Sequence, residues 1–356
     1  MGDTFLIDKD VTETEVVHND KGVEIEWSDG HQSVYSWDWL LPHENRFQRT
    51  VNLQRFMERA QRARKFRVVD PIMDPSPTVS YDQVMSENAS LLDWLDKIHT
   101  FGFCFVEGVP VTPEATKTLI ERIAFIRHTH YGGFWDFTAD LTYKDTAYTN
   151  EFLGPHTDNT YFTDPARLQL FHLLSHTDGE GGENLLVDGF AAADVLLNEN
   201  PKHHAALMAH KHPWHASGNE DVCIQPVLQA PVIQSHPTYR RVYQIRWNNY
   251  DRAPKIDWHI AEQKLWYAAA SQFNKIINQP LMQIWTPLKP GTALIFDNWR
   301  MLHGRSEFTG KRRMCGGYIN NDDYLSRHRL LKFGREKVLN NLGNFWIKKD
   351  NPNSIY

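Results

Sequence analysis

Cysteine is scarce in this sequence: Cys104, Cys223 and Cys315 are the only three in 356 residues. Their odd number and wide spacing exclude a disulfide framework or a CxxC zinc site and fit a reducing compartment. Long apolar runs are missing too. None approaches the ~20 residues that span a bilayer, so no membrane association is expected. Positive charge is not in excess. The formal net charge of −6 argues against a nucleic-acid or anionic-membrane surface. The one basic cluster, Arg62-Ala63-Arg64-Lys65-Phe66-Arg67, is accounted for by a solvated face. Residues 1–20 carry six acidic side chains and no arginine, unlike a secretory signal or a transit peptide. A cytoplasmic protein is expected, with the mitochondrion as the alternative. Internal repeats and low-complexity tracts are absent.

What the chain does have is aromatic residues and short alternating segments. Twelve tryptophans, thirteen tyrosines and nineteen phenylalanines are mostly core material by default. Val23–Trp27 alternates, turns at Ser28-Asp29-Gly30 and returns through His31–Trp37, the pattern of a hairpin. It is assigned to a small N-terminal β domain. The segment 71–80, with Pro71, Pro75 and Pro77, reads as a linker, so the expected division is 1–75 and 76–356. Helical spacing covers Ala89–His99. Another helix starts at Thr112-Pro113-Glu114, where a cap, an N1 proline and an early acid coincide. Gly102–Val106 between them is a buried-strand candidate. From about 145 onward short strands are predicted at 168–174, 185–187, 241–247, 293–296 and 315–319, with helices only near 191–198 and 257–277. The fold class is mainly β with flanking helices, a barrel or jelly roll rather than a parallel α/β sheet.

His156-Thr157-Asp158 carries the chemistry. In a strand, residues i and i+2 project from the same face, so His156 and Asp158 would point together. With His303 from a distant strand they would make the 2-His-1-carboxylate face of a non-haem Fe(II) oxygenase, leaving positions open for co-substrate and O2. An H-x-D triplet alone is weak in a chain with eighteen histidines. His203, His204, His210, His212 and His215 also crowd one region, but without a nearby carboxylate or cysteine an exposed polar helix explains them. Strand-like segments holding His303 and Arg312 are separated by a turn at Gly310, which would place the two on adjacent strands, facing inward. There Arg312 could fork onto the distal carboxylate of 2-oxoglutarate. A surface ion pair is the plainer alternative, given Lys311 and Arg313 on either side.

Several strings together resemble a known family: Asp145–Thr149, His156–Phe162, Leu185–Phe190, Arg246–Arg252 and Asp297–Tyr318. They are similar to the trimethyllysine and γ-butyrobetaine dioxygenases, a branch of the Fe(II)/2-oxoglutarate oxygenases, in order from about residue 22 to about 332. The resemblance implies a double-stranded β-helix with Fe(II) on His156, Asp158 and His303 and 2-oxoglutarate on Arg312. Relatives hold the co-substrate further with Thr or Ser after a Gly-Gly-acid turn. This chain has Asn184 there, following Gly181-Gly182-Glu183. The family's aromatic cage for a quaternary ammonium maps onto Tyr131, Trp135, Tyr148 and Tyr318. A trimethylammonium has no N–H to donate, so ring faces, at about 0.5–2 kcal/mol each, are its natural partners. Asn248, Asn249, Tyr161 and Asn159 are the candidates for the substrate's carboxylate and amino group.

The resemblance therefore implies hydroxylation of N6,N6,N6-trimethyllysine at C3, the first step of carnitine biosynthesis, with Fe(II), 2-oxoglutarate, O2 and ascorbate as reductant. Hydroxylation of γ-butyrobetaine, with the same cofactors, is the nearest alternative. A non-catalytic trimethyllysine binder would predict a degenerate triad, and a zinc hydrolase would not need Arg312. The family also implies a possible homodimer. Relatives often carry an N-terminal cysteine-rich zinc segment. With no cysteine before Cys104, no zinc is expected there.

Overall fold

The computed structural model describes residues 10–40, 76–138, 149–236, 241–340 and 342. The chain divides into two compact units, residues 1–65 with 335–353 and residues 66–334 with 354–356. Helix Arg335–Leu339 thus falls in the first unit, whereas the boundary at 75/76 put it in the second. Arg62–Arg67 and 71–75 lie outside the described residues.

The first unit holds an antiparallel sheet of β1 (Glu13–His18), β2 (Gly22–Trp27) and β3 (Gln32–Ser36). The β2–β3 turn is the expected one, with Gly30 at φ 81° and Asp29 Oδ1 accepting from the His31 amide. β1 was not anticipated.

In the second unit two sheets oppose each other as a jelly roll. The larger runs in the order β4 (Thr78–Ser80), β5 (Phe103–Glu107), β13 (Thr292–Asp297), β8 (Leu168–Thr177), β15 (Lys311–Ile319), β6 (Trp135–Thr138). The smaller runs β12 (Gln283–Thr286), β9 (Asn184–Asp188), β14 (Met301–Arg305), β7 (Leu153–His156). A two-stranded ribbon, β10 (Ile233–Ser235) with β11 (Val242–Ile245), stands apart from both sheets. β4, inside the segment read as a linker, pairs parallel with β5.

The central strands read as continuous apolar runs because both faces are covered. On β13, Leu294 and Phe296 join Phe103, Leu173, Leu186, Met301 and Met314 between the sheets. Ala293 and Ile295 on the same strand pack the other way, against helices Asn88–Phe101 and Pro113–Ile123. Thr112 caps the latter helix by accepting from the Ala115 amide. A second core joins helices Gly189–Glu199, Pro201–Ala209 and Ile260–Ile277 to the outer face of the smaller sheet through Leu185, Val187 and Leu302. Helix Pro201–Ala209 falls among the crowded histidines, where a helix is expected, but helix Asn321–Phe333 is not anticipated. Nor are the crowded histidines an exposed polar helix: His212 is fully buried, beyond the helix end, and His204 is buried within it.

Candidate active site

The smaller sheet brings two histidines together. β7 and β14 pair with His156 directly opposite His303, and the ring centroids are 4.3 Å apart. Pro155 fits within β7 because that strand is a sheet edge. The His156 Nδ1–H donates to the Gly154 carbonyl at 2.9 Å, which turns the Nε2 lone pair toward the cavity.

Asp158 does not arrive by strand alternation. β7 ends at His156, and the Thr157 amide bonds instead to the Trp247 carbonyl at 2.7 Å. Asn298 then holds the Asp158 backbone from both sides, accepting from its amide at 2.8 Å and donating to its carbonyl at 3.1 Å. Asn298 sits in a rigid turn, because Arg167 forks onto the neighbouring Asp297 at 2.7 Å. Next in the chain, Asn159 takes a left-handed φ of 60°, which asparagine tolerates better than most residues. The result places Asp158 Oδ1 3.2 Å from His156 Nε2 and 3.5 Å from His303 Nε2. Among the described residues this is the one cluster of three or more His, Cys, Asp or Glu side chains at metal-ligand spacing.

Electrostatics couples the three. Burial pushes the Asp158 pKa up, but the His303 charge and the hydrogen bonds from both imidazoles outweigh it and hold the carboxyl well below its usual range. Burial lowers His156, and Asp158 more than reverses this, so its pKa is raised. Burial and the charge of His156 leave His303 lowered. A divalent metal ion would compete with protons for the same lone pairs, and two imidazoles with one carboxylate suit Fe(II).

Arg312 comes from the opposite sheet. β14 and β15 follow each other in sequence but lie in different sheets, so His303 and Arg312 are not on adjacent strands: they face one cavity from two sides. Strand alternation settles the ambiguity of the basic triplet. Arg313 points out to a surface pair with Asp136, and Arg312 points in, buried. Its Nη2 has no hydrogen-bond partner, and no carboxylate pairs with it among the described residues. Burial, with Arg305 nearby, lowers its pKa to about 10. Phe308 lies between the two guanidiniums, 5.6 Å from Arg312 and 4.9 Å from Arg305. Gly182, at φ 73°, closes over Arg312, where a Cβ would sit 3.1 Å from its Nε. Asn184 lines the same cavity with a buried Nδ2 that also lacks a partner. A buried cation and an orphaned amide donor together fit a carboxylate ligand such as that of 2-oxoglutarate.

Aromatic rings form another wall. Trp135 stands 6.0 Å from Tyr318 in an edge-to-face pair and 5.3 Å from Phe171. It lies on Gly316, where a Cβ would be 2.3 Å from the indole, so this ring position requires glycine beneath it. Tyr131 lines the cavity as well, and Tyr148 lies outside the described residues. Asn159, Tyr161 and Asn248 also face the cavity. Asn249 does not: it is exposed, because Asn248 Oδ1 accepts from the Tyr250 amide and the resulting turn carries Asn249 outward.

Sequence reasoning missed four contributors. Asn298 and Arg305 gave no separate signal, and Asp251 was read only as part of a motif. Gln169 was detectable as a polar interruption in the apolar strand Leu168-Gln169-Leu170-Phe171. Among the described residues Asp251 is, besides Asp158, the carboxylate lining the cavity.

The jelly roll and its His-Asp-His face define a non-haem oxygenase scaffold. Residues 65–318 match the model of the taurine catabolism dioxygenase TauD, TfdA family, and residues 2–41 match the γ-butyrobetaine hydroxylase-like N-terminal model. The chain belongs to the TauD, TfdA dioxygenase family. Within it, the chain is 44% identical over 340 residues to trimethyllysine dioxygenase of Meyerozyma guilliermondii, covering 94% of this chain and 85% of that protein. It is 39% identical over 311 residues to the mitochondrial trimethyllysine dioxygenase of Homo sapiens, covering 86% and 71%. Identity to γ-butyrobetaine dioxygenase of a Pseudomonas species is lower, 31% over 317 residues, covering 87% and 79%. No helix among the described residues is long and apolar enough to cross a membrane.

Proposed function

We propose that this chain hydroxylates N6,N6,N6-trimethyllysine at C3, with Fe(II) held by His156, Asp158 and His303 and 2-oxoglutarate held by Arg312 and Asn184. The observation that supports it most is the buried, unpaired Arg312 facing the His-Asp-His cluster across one cavity. When bound, Fe(II) would let 2-oxoglutarate and O2 supply the oxidant: one oxygen atom would enter succinate as CO2 leaves 2-oxoglutarate, and the other would enter a substrate C–H bond. The protein's part is to bind, orient and keep water out. Trp135, Tyr131 and Tyr318 offer ring faces to the trimethylammonium, and the family resemblance gives Tyr148 the same role. Asn159, Tyr161 and Asn248 serve the carboxylate end. Ascorbate as reductant and a homodimeric assembly belong to the same reading. So does a reducing compartment, cytoplasm or mitochondrion, which suits three free cysteines.

Asp251 favours trimethyllysine over γ-butyrobetaine. Only the former carries an α-ammonium, and a cavity carboxylate is the group that would select it. Thr160 Oγ1 donates to Asp251 Oδ2 at 2.6 Å, which fixes the carboxylate at the cavity wall.

The test is anaerobic reconstitution with Fe(II) and 2-oxoglutarate, then O2, offering both substrates and assaying succinate and hydroxylated product. Preferential turnover of trimethyllysine is expected. Asp251→Asn should lower kcat/KM for trimethyllysine by about 10- to 100-fold, the worth of a charged hydrogen bond. Turnover of γ-butyrobetaine should change by no more than about 2-fold. Preferential turnover of γ-butyrobetaine by the wild type would reverse the substrate assignment.

A further inference from the structure

The two oxygens of Asp158 keep different company. Oδ1 faces both imidazoles, while Oδ2 accepts from the Tyr318 hydroxyl at 2.7 Å and from Gln169 Nε2 at 2.8 Å. Tyr318 and Gln169 are directly opposed across β15 and β8, so the larger sheet presents both donors at one height. They also lie 3.5 Å from each other, Gln169 Nε2 to Tyr318 Oη, and both are almost fully buried. A carboxylate on a divalent ion can bind through one oxygen or two. Two donors on Oδ2 make the second mode costly, because each hydrogen bond would have to be given up away from water.

We infer that Tyr318 and Gln169 form a clamp that keeps Asp158 a one-oxygen ligand and so preserves an open coordination position on the metal. The inference rests on the reading of His156, Asp158 and His303 as the metal site. Tyr318 is then a positioning residue with two surfaces. Its hydroxyl holds the metal carboxylate, and its ring, edge-to-face with Trp135, walls the cavity proposed for the quaternary ammonium. A cation seated on that ring lies one hydrogen bond from a metal ligand. Seating of substrate is thereby coupled to the state of the metal site.

Tyr318→Phe separates the two surfaces, since it keeps the ring and removes the hydroxyl. Three readouts apply to the full-length protein, besides the KM for trimethyllysine. Metal affinity is measured by titrating Mn(II), followed by electron paramagnetic resonance. The visible charge-transfer absorption of the anaerobic Fe(II)–2-oxoglutarate complex is recorded with and without trimethyllysine. The succinate released per hydroxylated product is counted under O2. The variant should bind Mn(II) about 10- to 100-fold more weakly, as loss of a partner behind a metal ligand typically does. Its absorption should respond less to substrate than the wild type's, and succinate should exceed product. The KM for trimethyllysine should stay within about 3-fold of wild type, because the ring remains. Gln169→Met, close in volume, should reproduce the metal and coupling effects with wild-type KM. Wild-type Mn(II) affinity and coupling in both variants would overturn the clamp, as would a change confined to KM. His156→Ala is the control for the underlying reading. If it binds Mn(II) as tightly as wild type, the metal assignment fails, a result distinct from failure of the clamp alone.

Discussion

His212 and His303 are both buried histidines in aromatic surroundings, yet only one of them faces an opening. His212 lies tilted against Trp214 at 4.4 Å and Trp266 at 4.6 Å, with Trp258 edge-on at 6.0 Å. Burial and the charge of Lys255 hold its pKa down to about 3. His303 shares Asp158 with His156 and lines the cavity. The arginines divide the same way. Arg246 is buried but gives its protons to the carbonyls of Thr160, Phe162 and Thr163, so it ties a loop together. Arg312 is equally buried, and among the described residues its Nη2 finds no acceptor. Burial makes a polar group costly, but a site needs that cost to be met by something arriving through an opening.

The strongest way to break this comparison is His156→Ala. The imidazole faces the cavity rather than the core, so the variant should keep its fold, with a melting midpoint within about 4 °C of wild type. Fe(II)-dependent succinate release should be abolished. Full activity in this variant would sink the metal assignment.

Arg312→Met sharpens it at intermediate size. Loss of a charged, forked anchor should raise the KM for 2-oxoglutarate by about 10- to 100-fold. Stability should be unchanged or higher by about 1 kcal/mol, because an unpaired buried cation gives way to an apolar chain. Arg246→Met should do the reverse, lowering the urea midpoint sharply through three carbonyls left without donors. A large loss of stability in Arg312→Met would show that the protein itself satisfies this guanidinium and would remove the main support for co-substrate binding there.

Much of the site was legible in sequence because its chemistry is carried by distinctive residue types, and much of the core because central strands are continuous apolar runs. Leu168–Thr177 and Thr292–Asp297 were found this way. The strands that were missed are largely edges. Leu153-Gly154-Pro155-His156 looks like a turn, since glycine and proline are tolerated where one side of the ladder is unpaired. Trp135–Thr138 and Gln283–Thr286, also edges, are too short to show a period. The route of Asp158 was illegible for another reason: its position depends on Asn298, 140 residues away, through bonds that no local pattern records. The exposure of Asn249 likewise follows from one turn made by its neighbour.

The smallest effect isolates His212. Its folded pKa, about 3, lies below the ordinary 6.5, so the unfolded chain binds the extra proton below about pH 6.5. Stability is therefore full near neutrality and falls as pH drops from about 6.5 toward 3. At pH 5 the neutral ring costs about 2 kcal/mol relative to pH 7.5, from roughly 1.5 pH units at about 1.4 kcal/mol each. His212→Phe keeps an aromatic ring between the two tryptophans and removes the titration. Urea unfolding at pH 7.5 and at pH 5 should then show a fall in stability about 2 kcal/mol smaller in the variant, with enzymatic activity at neutral pH unaffected. An identical pH dependence in both proteins would mean that His212 is protonated in the fold and that its burial among the tryptophans is not what keeps it neutral.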